Sequence, residues 1–588
     1  MRERKEIDEK FYWDLSPLKS NLDFDEILKK IKEFLPKFKE FEGKLNKKET
    51  ILDFFKLEDK FADFVEPIDL YLYLRRDECL SNDEINEKIE KISQVLNEIS
   101  VETSFSSSEL YDLSDDMLDD IIRDENFKNL RREFEIIKKH KKHKLSKEEE
   151  KLLAGMNFLG GFSKNMRNLS DVDLDFGEVE NGKGEKLPLN QSVYGKYIRS
   201  EDRTLRKNTF KGIHETFGKV INTLAGNYIS EVKANCYFAK IRKYESALSS
   251  ALEDEEIERG VYDTLIKMVN KNLPILFDYF KLKQKELGLK DFYIYDAMAS
   301  TERGEGKSYT YDEAIELIKK AVEPLGEEYI NLIQRAKDER WIDVYPSKNK
   351  RSGAYQTGIY GYHPYVLTNF EGDLDSVFTL AHELGHAMHS YYSDKNQPRE
   401  TAQYCIFLAE IASTTNEILL INYLLTSAQT DEEKAVLYNK LFDDVKSTIF
   451  RQTMFAEFEE NIHAMQERGD GLTKDKICNY YYQLNKKYFG HVQLTEETKY
   501  EWARIPHFFT AFYVYKYSTG MISAINFANR ILSGEKGAKE DYFKFLSAGA
   551  SDIPTEILKK SGCDLTDEKT FVKSFDYLKN MLKKWKKL

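Results

Sequence analysis

Residues 379–390 read Thr-Leu-Ala-His-Glu-Leu-Gly-His-Ala-Met-His-Ser, a stretch that contains the pattern HExxH. The preceding pair Gly372-Asp373 is a helix-start signal. Apolar residues then recur at helical spacing, at Leu374, Val377, Phe378, Ala381, Leu384 and Met388. This periodicity predicts one continuous helix that carries the whole motif.

Two imidazoles of this helix can bind one metal ion. His382 and His386 are four positions apart, so on a helix they share a face and point in the same direction. Glu383 is offset around the helix, which suits it to accept a proton from a water on the metal rather than to be a ligand. Random placement of 10 histidines among 588 residues gives roughly 0.03 such patterns, so a chance match is a minor alternative.

A catalytic zinc usually has three protein ligands, so a third is expected further along the chain. The helical pattern downstream contains Glu410 and Glu417, seven positions apart and therefore on one face. An ionised carboxylate in so apolar a helix is costly unless it is paired or bound to metal. The spacing does not choose which of the two is the ligand, and a structural salt bridge is the alternative for either.

Composition predicts an ordered globular protein. The chain is 41% hydrophobic and 32% charged, with only 11 prolines, which excludes disordered and collagen-like classes. The net charge of -13 makes the surface repel polyanions. We therefore expect neither nucleic acid nor a membrane surface as a partner.

The cysteines and the amino terminus favour a cytoplasmic protein. The five cysteines are odd in number and far apart, and they contain no CxxC, so neither a disulfide framework nor a thiolate zinc site is predicted. The first ten residues lack the apolar segment of a signal peptide, and no window approaches the length of a membrane span. We expect a soluble chain in a reducing compartment.

Helical periodicity extends over most of the sequence and predicts a mainly α protein. The clear exception is the segment 341–370, where aromatic residues alternate with small ones and Gly and Pro interrupt the pattern. This pattern indicates strands or a hairpin. An edge strand there could bind an extended peptide through backbone groups of Gly353, Ala354 and Tyr355. The alternative is that these residues only shape a hairpin.

Three segments together resemble a known family. HELGHAMHS, followed by FLAEIASTTNE and preceded by RSGAYQTGIYGY, closely resembles the M3 zinc peptidases, and specifically their oligoendopeptidase F branch. The resemblance continues in KHKLSKEEEKLLA and in RIPHFFTAFYVYKYSTG and covers roughly residues 130–550.

The resemblance implies roles for individual residues. The glutamate of the FLAE segment binds the metal, which gives His382, His386 and Glu410 as ligands of one zinc per chain and leaves Glu417 as a supporting residue. His507 and Tyr515 are implied to stabilise the oxyanion, and Tyr513 to bind substrate. Without the resemblance, a tyrosine-rich segment of this kind indicates core packing with buried hydroxyls.

The family also implies a fold and an activity. The fold would be mainly α, two-lobed and zincin-like, with a small β-sheet beside the HExxH helix and a deep substrate channel. The lobes would be residues 1–205 and residues 206–588, since Gly-containing loops near residues 160 and 181 indicate a boundary before about residue 205. The activity would be zinc-dependent cleavage of short unstructured oligopeptides by an endopeptidase that uses a zinc-activated water, with Glu383 as general base.

Two other functions remain open at this point. A related exopeptidase, such as a dipeptidyl carboxypeptidase, would need a cation placed to capture the terminal carboxylate of the substrate. A catalytically inactive helical metal-binding protein would keep zinc and cleave nothing. The sequence leaves the cleavage preference, the physiological peptide and the oligomeric state open.

Overall fold

Helices dominate the computed structural model, which describes residues 2–155, 161–300 and 307–588. The mainly α prediction is therefore confirmed. The first eight helices are α1 (Phe24–Lys32), α2 (Phe34–Lys39), α3 (Lys48–Glu78), α4 (Asp83–Thr103), α5 (Phe105–Asp112), α6 (Asp115–Arg123), α7 (Arg131–His140) and α8 (Lys147–Gly155). The next nine are α9 (Phe162–Asn168), α10 (Gln191–Arg199), α11 (Arg203–Lys219), α12 (Ile221–Ile241), α13 (Ala247–Glu253), α14 (Arg259–Lys271), α15 (Leu273–Glu286), α16 (Tyr311–Ala321) and α17 (Glu327–Asp338).

The carboxy-terminal part of the chain continues in the same way. Its helices are α18 (Leu374–Asn396), α19 (Arg399–Ala402), α20 (Ile406–Ser427), α21 (Asp431–Val445), α22 (Arg451–Glu467), α23 (Lys474–Phe489), α24 (Tyr515–Leu532), α25 (Ala538–Leu546), α26 (Pro554–Lys560) and α27 (Glu568–Trp585). Short 3-10 helices at Glu496–Arg504 and Pro506–Phe509 precede α24.

The strands form two small sheets. β1 (Glu178–Glu180) and β2 (Lys186–Pro188) pair antiparallel around a Gly-containing turn, a hairpin that the sequence analysis did not predict. Three further strands fall inside the predicted β segment: β3 (Ile342–Asp343), β4 (Tyr355–Thr357) and β5 (Tyr365–Leu367). Their order is β3-β5-β4, with β3 parallel and β4 antiparallel to β5. β4 is thus an edge strand.

The chain divides into two compact units, each built from three separate stretches. Unit 1 contains residues 1–142, 307–420 and 534–553, and unit 2 contains residues 143–306, 421–533 and 554–588. The lobes predicted from the sequence, residues 1–205 and residues 206–588, are each continuous, and that division of the chain stays a prediction.

Unit 1 has a helical core that holds its sheet. Apolar side chains of α1 to α7, such as Phe54 and Phe134, form one buried cluster. A second cluster packs Trp13 and Leu74 against Tyr365 and Leu367 of β5, which fixes the sheet on the end of α3. Burial of this apolar area is the main stabilising contribution to the unit.

Unit 2 buries an ion pair in an aromatic core. Arg451 of α22 donates to Glu501 at 2.7 Å, and the hydroxyl of Tyr481 donates to the other oxygen of the same carboxylate at 2.9 Å. Glu501 is 1% exposed. A buried charge is tolerated when it is paired and hydrogen-bonded in this way.

The helix that carries the HExxH motif begins where the sequence predicts. The Asp373 side chain accepts hydrogen bonds from the backbone N–H of Ser376 at 2.7 Å and from its hydroxyl at 2.6 Å, which satisfies groups of the first turn. α18 packs against β4 and β5, so the predicted small sheet beside this helix is confirmed.

α18 and α20 approach each other unusually closely inside unit 1. A Cβ atom at Gly385 would lie 2.5 Å from the Cα of Ser413 and 2.8 Å from the carbonyl oxygen of Ala412. The buried Asn416 of α20 donates to the Ala381 carbonyl at 3.1 Å and accepts from the Tyr329 hydroxyl at 2.9 Å. Backbone contact and these hydrogen bonds set the register of the two helices.

The five cysteines are thiols with no disulfide among them. Over the part of the chain that the structure describes, we find no helix with the length and apolarity required to span a bilayer.

We predict that Gly385→Ala destabilises the protein. Its methyl group would meet backbone atoms of α20 that cannot move independently of the helix, and such overpacking costs about 1–3 kcal/mol. The midpoint of thermal unfolding, measured by calorimetry, should fall.

Gly226→Ala is the matched control. Gly226 is also inside a helix, α12, but nothing lies within 4 Å of an added Cβ. Alanine there should leave the midpoint unchanged or raise it. Equal midpoints for Gly385→Ala and the parent protein would show that the helices do not depend on this contact.

Candidate metal centre and active site

The side chains of the three predicted ligands come together in unit 1. The Nε2 atoms of His382 and His386 lie 3.2 Å apart, and Oε2 of Glu410 lies 3.6 Å from Nε2 of His382. Ligand atoms of the three residues all lie within 4.8 Å of one another. α18 supplies the two rings from one face, and the first turns of α20 supply the carboxylate.

Glu417 contacts the outer side of this group. Nδ1 of His382 is hydrogen-bonded to Oε1 of Glu417, while its Nε2 faces the other two ligands. Burial disfavours the charged ring, but Glu417 raises the pKa of His382 to about 9. A carboxylate on the far nitrogen orients a ligating imidazole and makes it more basic. The geometry distinguishes the two glutamates: Glu410 faces the point shared with His386, and Glu417 is hydrogen-bonded to the far side of the His382 ring. The role of Glu410 as the metal ligand stays a prediction.

The donor set fits a zinc ion. Burial and the neighbouring His382 lower the pKa of His386 to about 3, so its ring is neutral and offers a lone pair. Burial raises the pKa of Glu410, with His382 opposing and Glu417 reinforcing that shift. Two imidazoles and one carboxylate are the donors that zinc takes in hydrolases.

Glu383 has the environment of a general base. It is 7% exposed and lines the same cavity as the three candidate ligands. Burial raises its pKa to about 7; His382 opposes that shift, and Glu410 and Glu417 add to it. A carboxyl group with a pKa near neutrality can take up and release a proton efficiently at working pH.

These residues line a cavity of about 500 Å³ in unit 1. The edge strand β4 also lines this cavity, and Ala354 to Gly358 all contribute to the lining. Because β4 pairs with β5 on one side only, its other edge has backbone groups that can bond an extended peptide.

The three residues predicted to bind substrate in this segment differ in position. Ala354 and Tyr355 line the cavity, whereas Gly353 does not. The Gly353 carbonyl accepts from Asn369 at 2.7 Å, and its φ of +83° belongs to a turn. The Tyr355 hydroxyl donates to the buried Asp77 at 2.7 Å, so its side chain anchors the strand.

The predicted carboxy-terminal residues lie in unit 2. His507, Tyr513 and Tyr517 form a partly exposed cluster, with ring centroids 6.4 Å apart for His507 and Tyr513 and 5.4 Å for Tyr513 and Tyr517. Tyr515 is 1% exposed and packs on Tyr262 at 5.2 Å. Core packing, the alternative given for this segment, describes Tyr515, and its role as oxyanion donor stays a prediction.

A strained residue shapes the loop that presents this cluster. Phe512 has a φ of +58°, a conformation that bulky side chains rarely adopt. Its backbone N–H donates to the buried Glu459 of α22 at 3.1 Å. Burial raises the pKa of Glu459 to about 8, which this hydrogen bond partly offsets. No sequence pattern pointed to Glu459.

Other histidines take different positions. His389 is 1% exposed and stacks on Tyr404 with centroids 3.7 Å apart, and within the described residues neither of its nitrogens has a hydrogen-bond partner. The buried His214 is hydrogen-bonded through Nδ1 to the Phe210 carbonyl at 2.7 Å.

Two cavity residues were missed although their spacing could have revealed them. Ser390 and Asp394 line the cavity and follow His386 at intervals of four, so they continue the face that carries both rings.

Comparison with known proteins agrees with this geometry. The profile of Peptidase family M3 matches residues 196–577, and that of Oligopeptidase F matches residues 109–176. Oligopeptidase PepF of Bacillus subtilis (strain 168) is 35% identical over 596 residues, covering 99% of this chain and 89% of the relative.

Solved structures show the same fold. The crystal structure of a candidate peptidase from Chlamydophila abortus has a TM-score of 0.94 and 35% identity, covering 99% of each chain. Oligoendopeptidase-F from Enterococcus faecium has a TM-score of 0.73 and 32% identity, covering 96% of this chain and 98% of that one. The resemblance found in the sequence is confirmed, and the chain belongs to peptidase family M3.

Proposed function

We propose that the protein is a zinc-dependent endopeptidase that hydrolyses short unstructured oligopeptides. The observation that carries this proposal is the convergence of His382, His386 and Glu410 in one cavity with Glu383 and a free strand edge. Relatives that cover nearly the whole chain are named oligopeptidase PepF and oligoendopeptidase F. His382, His386 and Glu410 would hold one zinc ion.

The residues of the chain divide the work of hydrolysis. A bound zinc supplies a Lewis acid beside the peptide carbonyl. Glu383 accepts a proton at its carboxylate from the attacking water as the new C–O bond forms. It then gives that proton to the amine nitrogen as the C–N bond breaks. β4 holds the substrate in an extended conformation through backbone hydrogen bonds. This mode of binding tolerates many different substrate side chains.

The cavity favours an endopeptidase over a dipeptidyl carboxypeptidase. A carboxypeptidase needs a cation to capture the terminal carboxylate, but no lysine or arginine is among the described residues that line the cavity. The lining instead contains the acids Glu383, Asp394 and Glu410. An inactive metal-binding protein is disfavoured because a buried base lies with all three ligands.

We further propose that the enzyme acts on peptides released by protein turnover in the cytosol, a reducing compartment that suits five cysteines without a disulfide among them. The enclosed channel that the family implies, which would restrict substrates to short peptides, remains part of this proposal.

Glu383→Gln should separate zinc binding from catalysis. The amide keeps the shape of the side chain but cannot accept the proton, so turnover should fall by about 10²–10⁴-fold while zinc content stays at one per chain. The assay is mass spectrometry of peptides blocked at both ends together with elemental analysis.

The same assay on the parent protein distinguishes an endopeptidase from an exopeptidase. Internal cleavage of the blocked peptides identifies an endopeptidase. If blocked peptides are not cleaved while unblocked peptides lose terminal dipeptides, the exopeptidase is correct.

Glu410→Ala and Glu417→Ala should weaken zinc binding to different degrees. Loss of Glu410 removes a ligand, whereas loss of Glu417 removes only the support of His382, which typically costs 10–100-fold in affinity. Competition with a chelator measures both. The control is Glu432→Ala, an exposed glutamate on α21. A greater loss of affinity in Glu417→Ala would exchange the two roles.

Single substitutions should identify the tyrosine that contacts substrate. We expect Tyr517→Phe to lower kcat most, by about 10²–10³-fold if its hydroxyl donates to the oxyanion, because it is partly exposed and contacts both other rings of the cluster. Tyr513→Phe and Tyr515→Phe are measured beside it, with the exposed Tyr237→Phe as control. If Tyr515→Phe shows the largest loss, the role returns to the residue predicted from sequence.

A further inference from the structure

One face of α18 continues beyond the metal ligands as the wall of a groove. His382, His386, Ser390 and Asp394 follow at intervals of four, and all line the cavity. Asp394 is eight positions after His386, which at 1.5 Å per residue is about 12 Å along the helix. The ligands and a carboxylate thus mark two ends of one wall.

The middle of this wall is polar and contacts β4. The Ser390 hydroxyl donates to Oε1 of Gln356 at 3.4 Å and shares a hydrogen bond with the Tyr404 hydroxyl at 2.9 Å. Gln356 is the central residue of β4. An extended peptide that adds to this edge strand and has its scissile bond at the ligands would therefore point one of its ends towards Asp394.

Among the residues that the structure describes, Asp394 forms no ion pair. The cation that acts on its charge, Arg399, donates to Glu66 at 2.6 Å, donates to Asp63 and lies 3.9 Å from Asp59. Three other carboxylates thus share this one guanidinium. Burial raises the pKa of Asp394 to about 7, with Arg399 opposing that shift and Glu66 adding to it. A second cation in the groove would relieve this excess of negative charge.

We propose that Asp394 is a specificity-determining residue that binds a cationic group of the peptide substrate. The proposal rests on the proposed function and names the substrates it favours. An extended chain advances about 3.3 Å per residue, so 12 Å corresponds to about four residues. The cation is therefore a lysine or arginine side chain, or the terminal ammonium group, within about four residues of the scissile bond on one side.

The test is a lysine scan in peptides blocked at both ends. A lysine is moved through the four positions on each side of a fixed cleavage site, and each peptide is paired with its norleucine analogue. The parent enzyme should prefer lysine at one or two adjacent positions by about tenfold in kcat/KM, the size expected for a partly buried charge pair. An unblocked lysine-free series shows whether the terminal ammonium group gives the same preference.

Substitutions at Asp394 locate the preference. Asp394→Asn should reduce the lysine-to-norleucine ratio to about one, Asp394→Glu should keep it above one, and Asp394→Lys should favour glutamate at the same position. Glu400→Gln, which removes a charge from an exposed side chain near Asp394 in sequence, should keep both the ratio and the rate. If Asp394→Asn does not fold, the other two variants test the inference. A lysine preference in Asp394→Glu and a glutamate preference in Asp394→Lys would support it, and the same preference in both would overturn it.

The outcomes separate this inference from the proposed function. Internal cleavage by the parent enzyme with no lysine or ammonium preference overturns the inference alone, as does a preference that Asp394→Asn keeps. A protein that binds zinc and cleaves no peptide overturns the proposed function and the inference with it.

Discussion

The metal centre depends on the contact between the backbones of α18 and α20. Each helix alone carries only part of the candidate ligand set, two rings on α18 and one carboxylate on α20. Their side chains converge because the helices touch at Gly385, where any Cβ atom would collide with Ser413. Asn416 prevents sliding by bonding to the Ala381 carbonyl, one residue before the first ligand. Gly385, inside the motif, is therefore required for the close approach of the two helices, as the histidines are for the candidate metal centre.

This contact gathers more negative charge than the protein itself neutralises. Glu383, Glu410 and Glu417 lie around His382 and His386 in a largely buried place, and His382 is the common counter-charge of all three acids. Removing carboxylates from water is costly unless a cation compensates them. A divalent ion held by His382, His386 and Glu410 would supply that compensation, so the burial that makes these carboxylates costly also favours metal binding. The raised pKa of Glu383 is caused mainly by the same burial.

The sequence predicted those parts of the site that follow from helical periodicity. The start of α18 and the shared face of His382 and His386 follow from rules of spacing, and the short sheet follows from a change of period. The hairpin β1-β2 was missed because three-residue strands are too short for alternation to be recognised. The choice between Glu410 and Glu417 needed coordinates or a resemblance, since spacing places both on one face.

Residues of the carboxy-terminal segment could not be assigned for a related reason. Spacing alone does not rank the alternate tyrosines at 513, 515 and 517. In the structure α24 begins only at Tyr515, so two of them follow helical geometry and one does not. Phe512, in the left-handed conformation, turns the chain immediately before Tyr513. Its backbone N–H donates to the carboxylate of Glu459, which lies 53 positions earlier in the sequence. A bond between residues so far apart leaves no local pattern. Helical spacing therefore locates function only within a continuous helix, and on α18 that continuity extends past the motif to Ser390 and Asp394.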